Sequence, residues 1–100
     1  MQPRHQARLL AHEFVHAEQR RRLGRARFQL MYLRPGNAFA FECQAYREGL
    51  DFMRAHRELF TDAEIASEIA RVPRVLWDSY PTLRVFDRGQ LTREAVAAMG

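Results

Sequence analysis

The segment between Pro3 and Gly24 constrains the fold most, because no proline or glycine interrupts it. Proline suits the first turn of a helix, where its missing N–H is not needed, and glycine suits the residue just past the end. We therefore predict one long helix from Pro3 to Leu23. Its apolar residues spread around more than one face, so we expect this helix to be buried on several sides. These residues are Leu9, Leu10, Phe14, Val15, Ala17 and Leu23.

Two histidines, His12 and His16, lie four residues apart within this predicted helix. Since an α-helix has about 3.6 residues per turn, the two imidazoles share one face and can reach one metal ion. Nitrogen ligands at about 2.0–2.1 Å suit zinc. Glu13 is rotated by about 100° from His12, so its carboxylate can lie beside the ion and act as a general base toward water. The alternative is a pair of surface histidines on an ordinary helix.

The middle of the chain is also predicted to be mainly helical. Residues 25–33 fit a short helix or a strand, of which we favour the helix. Pro35 followed by Gly36 predicts a type II turn over residues 34–37. A second long helix is then expected over residues 38–60.

The C-terminal part begins with a helix start signal. Thr61 and Glu64 have the spacing of a capping box, and we expect the helix that follows to end before Pro73. The remaining predicted elements are a short helical turn over residues 73–80, an extended piece over 82–86 and a final short helix over 92–99.

A catalytic zinc ion needs a third protein ligand and an open position for water. Glu42 falls near the middle of an apolar arc on the second long helix, where a carboxylate costs free energy unless it is paired or bound to metal. We predict Glu42 as the third ligand, with a buried salt bridge to an arginine as the alternative. The small side chains of Ala45 and Gly49 would let this helix approach the histidine helix closely. The arc consists of Ala45, Tyr46, Gly49, Phe52, Met53 and Phe60.

The other two histidines are not expected to bind the same ion. His56 lies about 21 Å along the helix from Glu42, so the two side chains cannot share a ligand. We interpret His56 as a core or cleft histidine. His5 is expected in a frayed helix end.

Composition fits a single domain. The chain has 100 residues, of which 47% are apolar and 28% charged, and we predict one compact domain over residues 1–100. No apolar run approaches the roughly 20 residues of a membrane span, and the first residues lack the apolar stretch of a secretory signal. One cysteine, Cys43, excludes an intramolecular disulfide. We therefore expect a cytoplasmic protein without a membrane span.

The basic residues are all arginines, and the net charge is +4. Five of them lie close together, and such a cluster can bind phosphate. We favour a solvated helix end, where cations complement the helix dipole, because no aromatic-interleaved nucleic-acid motif accompanies the cluster. Nucleic acid is therefore not expected as a partner, and a basic nucleic-acid-binding protein is the weakest alternative. The five are Arg20, Arg21, Arg22, Arg25 and Arg27.

Two segments together resemble the gluzincins, a clan of zinc metallopeptidases. They are His12-Glu13-Phe14-Val15-His16, with Gln19 three residues later, and Phe41-Glu42-Cys43-Gln44-Ala45-Tyr46. The compact size and the dipeptide Leu10-Ala11 before the first segment are also similar to the minigluzincins and related short bacterial zincin-like domains. The resemblance covers residues 7–53, and residues 61–100 are expected to form a helical C-terminal part.

This resemblance implies a zinc-dependent metallopeptidase that hydrolyses bonds of a peptide or protein substrate. It implies an active-site helix followed by a glutamate helix, with His12, His16 and Glu42 as zinc ligands. It also implies Glu13 as the general base. Tyr46, one turn after Glu42, is a candidate oxyanion donor, and simple packing is its alternative role.

One departure from the family pattern concerns the substrate. Zincins usually carry a small β-sheet whose edge strand aligns the peptide, whereas only about two helical turns precede His12. We expect this sheet to be missing, replaced or encoded upstream of the first residue. The main alternative function is therefore a zinc-binding scaffold or interaction domain without peptidase activity. The oligomeric state is left open.

Overall fold

The structure is a computed structural model that describes residues 2–100; Met1, where the predicted domain begins, lies outside the described residues. Residues 2–100 form five α-helices and one 3₁₀ helix and contain no strand. The prediction of a mainly α fold is confirmed. The elements are α1 (Pro3–Leu23), α2 (Arg25–Tyr32), α3 (Pro35–Ala55), α4 (Asp62–Ser79), the 3₁₀ helix (Pro81–Val85) and α5 (Arg88–Ala98).

The first helix, α1, has the predicted bounds. Pro3 lies in its first turn, and Gly24 follows its last residue with a φ of 83°, a left-handed value that glycine adopts without steric cost. The N–H of Gly24 donates to the backbone oxygen of Arg20 at 2.8 Å. The chain then enters α2, so the helix that we favoured for this segment is confirmed.

The predicted turn at residues 34–37 is wrong, because Pro35 begins α3 and the helix continues through Gly36. The preceding residue, Arg34, is extended, with φ −85° and ψ 124°, as residues before proline usually are. A proline in the first helical turn gives up no hydrogen bond. At its other end α3 stops at Ala55 rather than at residue 60, because the chain turns there and brings Phe60 into the core.

The capping box at the start of α4 is confirmed. The Thr61 hydroxyl accepts from the N–H of Glu64 at 3.1 Å, and the Glu64 carboxylate accepts from the N–H of Thr61 at 3.1 Å. The predicted end before Pro73 is wrong, since α4 continues to Ser79 with the proline inside it. An interior proline costs about 3 kcal/mol. Pro73 and Leu76 are both buried, and the burial of apolar side chains opposes this cost.

The last two elements also differ from the prediction. Residues 82–86 were expected to be extended, but Pro81–Val85 is a 3₁₀ helix whose Leu83 is fully buried. Pro81 begins this 3₁₀ helix, and its tighter turns of about three residues bring Leu83 into the core. The final helix, α5, begins at Arg88, earlier than predicted, because the Asp87 carboxylate caps it by accepting from the N–H of Gln90 at 2.9 Å.

The core lies mainly between α3, α4, the 3₁₀ helix and α5, and α1 packs along α3. The expectation that α1 is buried on several sides is wrong: Leu10 and Phe14 are 68% and 66% exposed. The neighbouring helices cover only one face of α1. Its buried residues are Val15, His16 and Gln19.

The single cysteine, Cys43, is buried and free. Burial and the nearby charge of Glu42 raise the pKa of its thiol to about 12, so it stays protonated and acts as a small apolar core residue. Within residues 2–100, no helix combines the length and the apolar character that crossing a membrane needs.

Candidate metal centre

Three predicted site residues meet where α1 crosses α3. Nitrogen and oxygen atoms of His12, His16 and Glu42 all lie within 4.8 Å of one another. The Nε2 atom of His12 is 3.5 Å from Oε1 of Glu42, and Nε2 of His16 is 3.0 Å from Oε2 of the same carboxylate. Two ligands held tetrahedrally at about 2.0–2.1 Å from one zinc ion lie about 3.3–3.4 Å apart. The observed separations, each to a different oxygen of Glu42, are close to this value, so the three side chains form a possible metal-binding group.

The Glu42 side chain is 2% exposed, and its partners explain how a carboxylate is tolerated there. The Tyr80 hydroxyl donates to Oε1 at 2.9 Å, and the Tyr32 hydroxyl donates to Oε2. Burial would raise the pKa of Glu42, but hydrogen bonds from His12, His16 and Tyr32 outweigh it and hold that pKa well below its usual range. The salt bridge to an arginine is not formed within residues 2–100.

The two tyrosines were not identified from the sequence. Tyr32 ends α2 and Tyr80 follows α4, so no spacing along the chain relates either hydroxyl to Glu42. Burial, reinforced by the Glu42 charge, raises the pKa of both phenols, and both therefore remain hydrogen-bond donors. A carboxylate oxygen has two lone-pair directions, so each oxygen of Glu42 can accept from a tyrosine and still face the histidines.

Gln19 contacts the His16 ring at Nδ1, the ring nitrogen that does not face Glu42. The Nδ1 atom of His16 is 2.9 Å from Oε1 of Gln19. The amide nitrogen of Gln19 donates to the backbone oxygen of Phe41 at 3.2 Å and to Gln44 at 2.9 Å. These two contacts fix the orientation of the amide, so its oxygen faces the imidazole. The sequence resemblance includes Gln19, but no role for it was predicted.

His12, His16 and Glu42 lie on the wall of an open cleft of about 830 Å³. Glu13 lines the same cleft and is exposed to solvent. Arg20 lies further along the same wall. The rest of the lining is mainly apolar and consists of Ala26, Phe28, Gln29, Leu30, Tyr32, Leu33 and Tyr80.

Three other residues singled out in the sequence do not line the cleft. The Tyr46 ring packs edge-on against His12, with centroids 4.3 Å apart, and lines a separate small cavity with Arg8, so the structure does not bring its hydroxyl together with Glu13. His56 lies just past the end of α3 and contacts Glu58 at 3.1 Å. The frayed end expected for His5 is wrong: this residue is helical, and its ring meets Phe60.

Comparisons with known proteins do not add to this geometry. No protein-family model, no curated protein and no solved structure matches the chain. The side chains that surround the cleft, and their chemistry, are therefore the basis for the function of this chain.

Proposed function

We propose that the protein binds a zinc ion through His12, His16 and Glu42 and hydrolyses peptide bonds with Glu13 as the general base. The observation that carries the proposal is the convergence of two imidazole nitrogens and a buried carboxylate on the wall of an open cleft that Glu13 also lines. This donor set, two histidines and one glutamate, is one of those that catalytic zinc sites use.

The hydrogen bond between His16 and Gln19, and those that orient the Gln19 amide, support metal binding. Because Gln19 presents its amide oxygen, the ring carries a proton on Nδ1, and Nε2 is directed at the Glu42 carboxylate. In a neutral ring, Nε2 has a lone pair, and a lone pair facing a buried carboxylate is unfavourable without a cation between them. Hydrogen bonds of this kind to the far nitrogen are typical of metal-binding histidines. In the absence of metal, a second proton on the ring satisfies the same geometry.

A bound zinc ion would polarise the scissile carbonyl and lower the pKa of water to about 7. The chain's own contribution to the chemistry is Glu13. Its carboxylate forms no ion pair within residues 2–100 and stands one residue from His12 in the cleft. It accepts a proton from the attacking water and returns it to the leaving amine, as general acid–base catalysis requires.

The cleft supports a peptide as the substrate class. Its volume of about 830 Å³ is within the usual range for small-ligand sites, and its apolar wall can receive an aliphatic or aromatic side chain. The resemblance of residues 7–53 to gluzincins favours the same substrate. The rival function, a zinc-binding domain without peptidase activity, makes the same prediction for metal binding and differs only in catalysis.

Metal content of the purified protein, measured by elemental analysis, tests the metal site. We expect about one zinc ion per chain, which is lost in His12→Ala and in Glu42→Ala. His56→Ala is the matched control, because this histidine lies outside the cleft, and it should keep the metal. A folded wild-type protein that contains no metal after purification and takes up none from zinc solution contradicts the proposal.

Glu13→Gln separates the enzyme from the metal-binding domain. We expect this variant to keep its zinc and to lose cleavage of a fluorogenic peptide library by roughly 10²-fold or more, because general-base catalysis is removed. If zinc-loaded wild type cleaves no member of the library while the metal-content results hold, the protein is a metal-binding domain and not a peptidase.

A further inference from the structure

Arg20 places a cation on the wall of the cleft, on the same helix as the two histidines. It follows His16 by four residues on α1, which is one helical turn or about 6 Å along the axis, and it lines the cleft with His16. The α2 residues that line the cleft are Ala26, Phe28, Gln29, Leu30 and Tyr32, most of them apolar. Arg20 itself is exposed, and its guanidinium can bind a carboxylate through two parallel, charge-assisted hydrogen bonds.

The charge of Arg20 is not neutralised within the described residues. The nearest acidic residue in sequence, Glu18, instead pairs with Arg21 at 2.8 Å, and no ion pair of Arg20 exists in residues 2–100. Arg25 and Arg27 flank Ala26 at the start of α2, and both are exposed. This end of the cleft is therefore positive, and it would steer an anionic ligand toward Arg20.

The candidate metal-binding residues and Arg20 thus lie at different places along one cleft. One part carries His12, His16, Glu13 and Glu42, and the other carries the cationic Arg20. A peptide that extends from the proposed zinc site toward the arginine covers about 6 Å in one or two residues, since an extended chain advances about 3.3–3.6 Å per residue. Its intervening side chain lies against the apolar wall.

We propose that Arg20 selects substrates with a carboxylate within two residues of the cleaved bond and an apolar side chain between them. The carboxylate is the C-terminus of a short peptide or the side chain of an aspartate or glutamate, since the guanidinium binds both in the same bidentate way. This inference rests on the proposed function, because it names the substrate class of that same cleft.

Three N-blocked peptides test the proposal, with leucine directly after the cleaved bond in each. The first ends in a free carboxylate, the second is its C-terminal amide, and the third is an amide that carries glutamate after the leucine. The kcat/KM of zinc-loaded wild type should be roughly tenfold higher or more for at least one carboxylate peptide than for the plain amide. The peptide that gains distinguishes the chain terminus from the acidic side chain.

Arg20→Gln should reduce the ratio of carboxylate to amide kcat/KM to within about twofold of unity, with most of the change in KM. Arg22→Gln is the matched control: it removes the same charge from the same helix, but Arg22 does not line the cleft, so the wild-type ratio should persist. Equal rates for all three peptides in wild type overturn the proposal, as does an unchanged ratio in Arg20→Gln.

Calorimetric binding of the same peptides to wild type and Arg20→Gln, with and without zinc, separates this proposal from the peptidase function. A carboxylate preference in binding that disappears in Arg20→Gln supports the role of Arg20 even where no peptide is cleaved, in which case only the peptidase function fails. If the peptides are cleaved without any preference for the carboxylate, the peptidase function stands and the proposed selection by Arg20 is wrong.

Discussion

Gln19 and His16 form a buried pair in which the imidazole Nδ1–H donates to the amide oxygen across 2.9 Å. The amide nitrogen of Gln19 in turn reaches α3 at the backbone oxygen of Phe41, next to Glu42. One glutamine therefore connects the face of α1 that carries the histidines to the helix that carries Glu42. It fixes both the rotation of the His16 ring and the nitrogen that faces Glu42.

Gln19→Leu should lower zinc affinity by roughly 10–100-fold, the usual effect of losing a hydrogen-bond partner of a metal-binding histidine. Leucine has a similar volume but accepts no hydrogen bond from His16, so the ring is free to rotate and to change tautomer. Competition with a chromophoric chelator measures the affinity. Gln6→Leu, an exposed site on α1, is the control and should bind zinc as wild type does. An unchanged affinity in folded Gln19→Leu would remove the role assigned to this residue.

The metal-free protein should be most stable in mildly acidic solution. Burial lowers the pKa of His16, but its hydrogen bond to Glu42 outweighs this and raises the pKa above the ordinary 6.5. The resulting stabilisation is complete below pH 6.5 and is lost as pH rises through the raised pKa. The pKa of Glu42 is lowered from the ordinary 4.5, so its contribution is complete above pH 4.5 and is lost as pH falls toward the lowered value.

Urea unfolding with a chelator present should therefore give a larger free energy of unfolding at about pH 5.5 than at about pH 8.5. Glu42→Gln should reduce that difference, because it removes the partner of the charged imidazole. Zinc affinity should change in the opposite direction and increase from about pH 5.5 to about pH 8.5, since binding requires neutral imidazoles. If the free energy of unfolding of the metal-free protein instead rises steadily over this pH range, and rises equally in Glu42→Gln, the stabilising contact between His16 and Glu42 is contradicted.

Tyr80→Phe should weaken zinc binding, whereas Tyr46→Phe should leave it within about twofold of wild type. The Tyr80 hydroxyl donates to Glu42 at 2.9 Å, and removing such a partner of a metal-binding carboxylate costs roughly tenfold in affinity. The Tyr46 ring packs on His12, but its hydroxyl contacts no metal-binding side chain. Chelator competition compares the two variants, and equal losses would contradict the assignment. A loss of cleavage in zinc-bound Tyr46→Phe would support the oxyanion role predicted from the sequence.

The parts of the fold that could be predicted are those with local signals. Pro3 and Gly24 delimit α1, and the Thr61 capping box marks the start of α4, because each signal acts through backbone groups within one turn. The two internal prolines were misjudged for a related reason. Whether Pro35 begins a helix, and whether Pro73 is tolerated within one, depends on packing against residues distant in the sequence.

The same distinction applies to the site. The spacing of His12 and His16 is a property of a single helix, and Glu42 stood out as a carboxylate on an apolar arc. The roles of Tyr32 and Tyr80 depend on how three separate segments pack around Glu42, and no periodicity along the chain reports that packing. In the sequence, Arg20 is one of five clustered arginines and nothing distinguishes it from the other four. Its position on the cleft wall depends on where α2 lies.

Gly49 gives a final prediction about how closely α1 and α3 approach each other. The sequence favours a small residue here, but a Cβ on Gly49 would lie 3.7 Å from Cγ and 3.8 Å from the backbone oxygen of Arg8, which is ordinary contact. Gly49→Ala should therefore stabilise the protein by about 0.5–1 kcal/mol, because alanine loses less backbone entropy in a helix. Gly49→Leu should destabilise it by about 1–3 kcal/mol and weaken zinc binding, since the larger side chain pushes α1 and its histidines away from Glu42.

Urea unfolding of the metal-free variants measures the Gly49 effects, and chelator competition measures their zinc affinity. Gly36→Ala is the control, because a methyl group on this helical glycine would have nothing within 4 Å and reports the entropy gain without any contact between helices. If Gly49→Ala is destabilising while Gly36→Ala is not, then a methyl group at position 49 lies closer to Arg8 than the 3.7 Å of ordinary contact. In that case the glycine itself, rather than a small residue in general, keeps His12 and His16 within reach of Glu42.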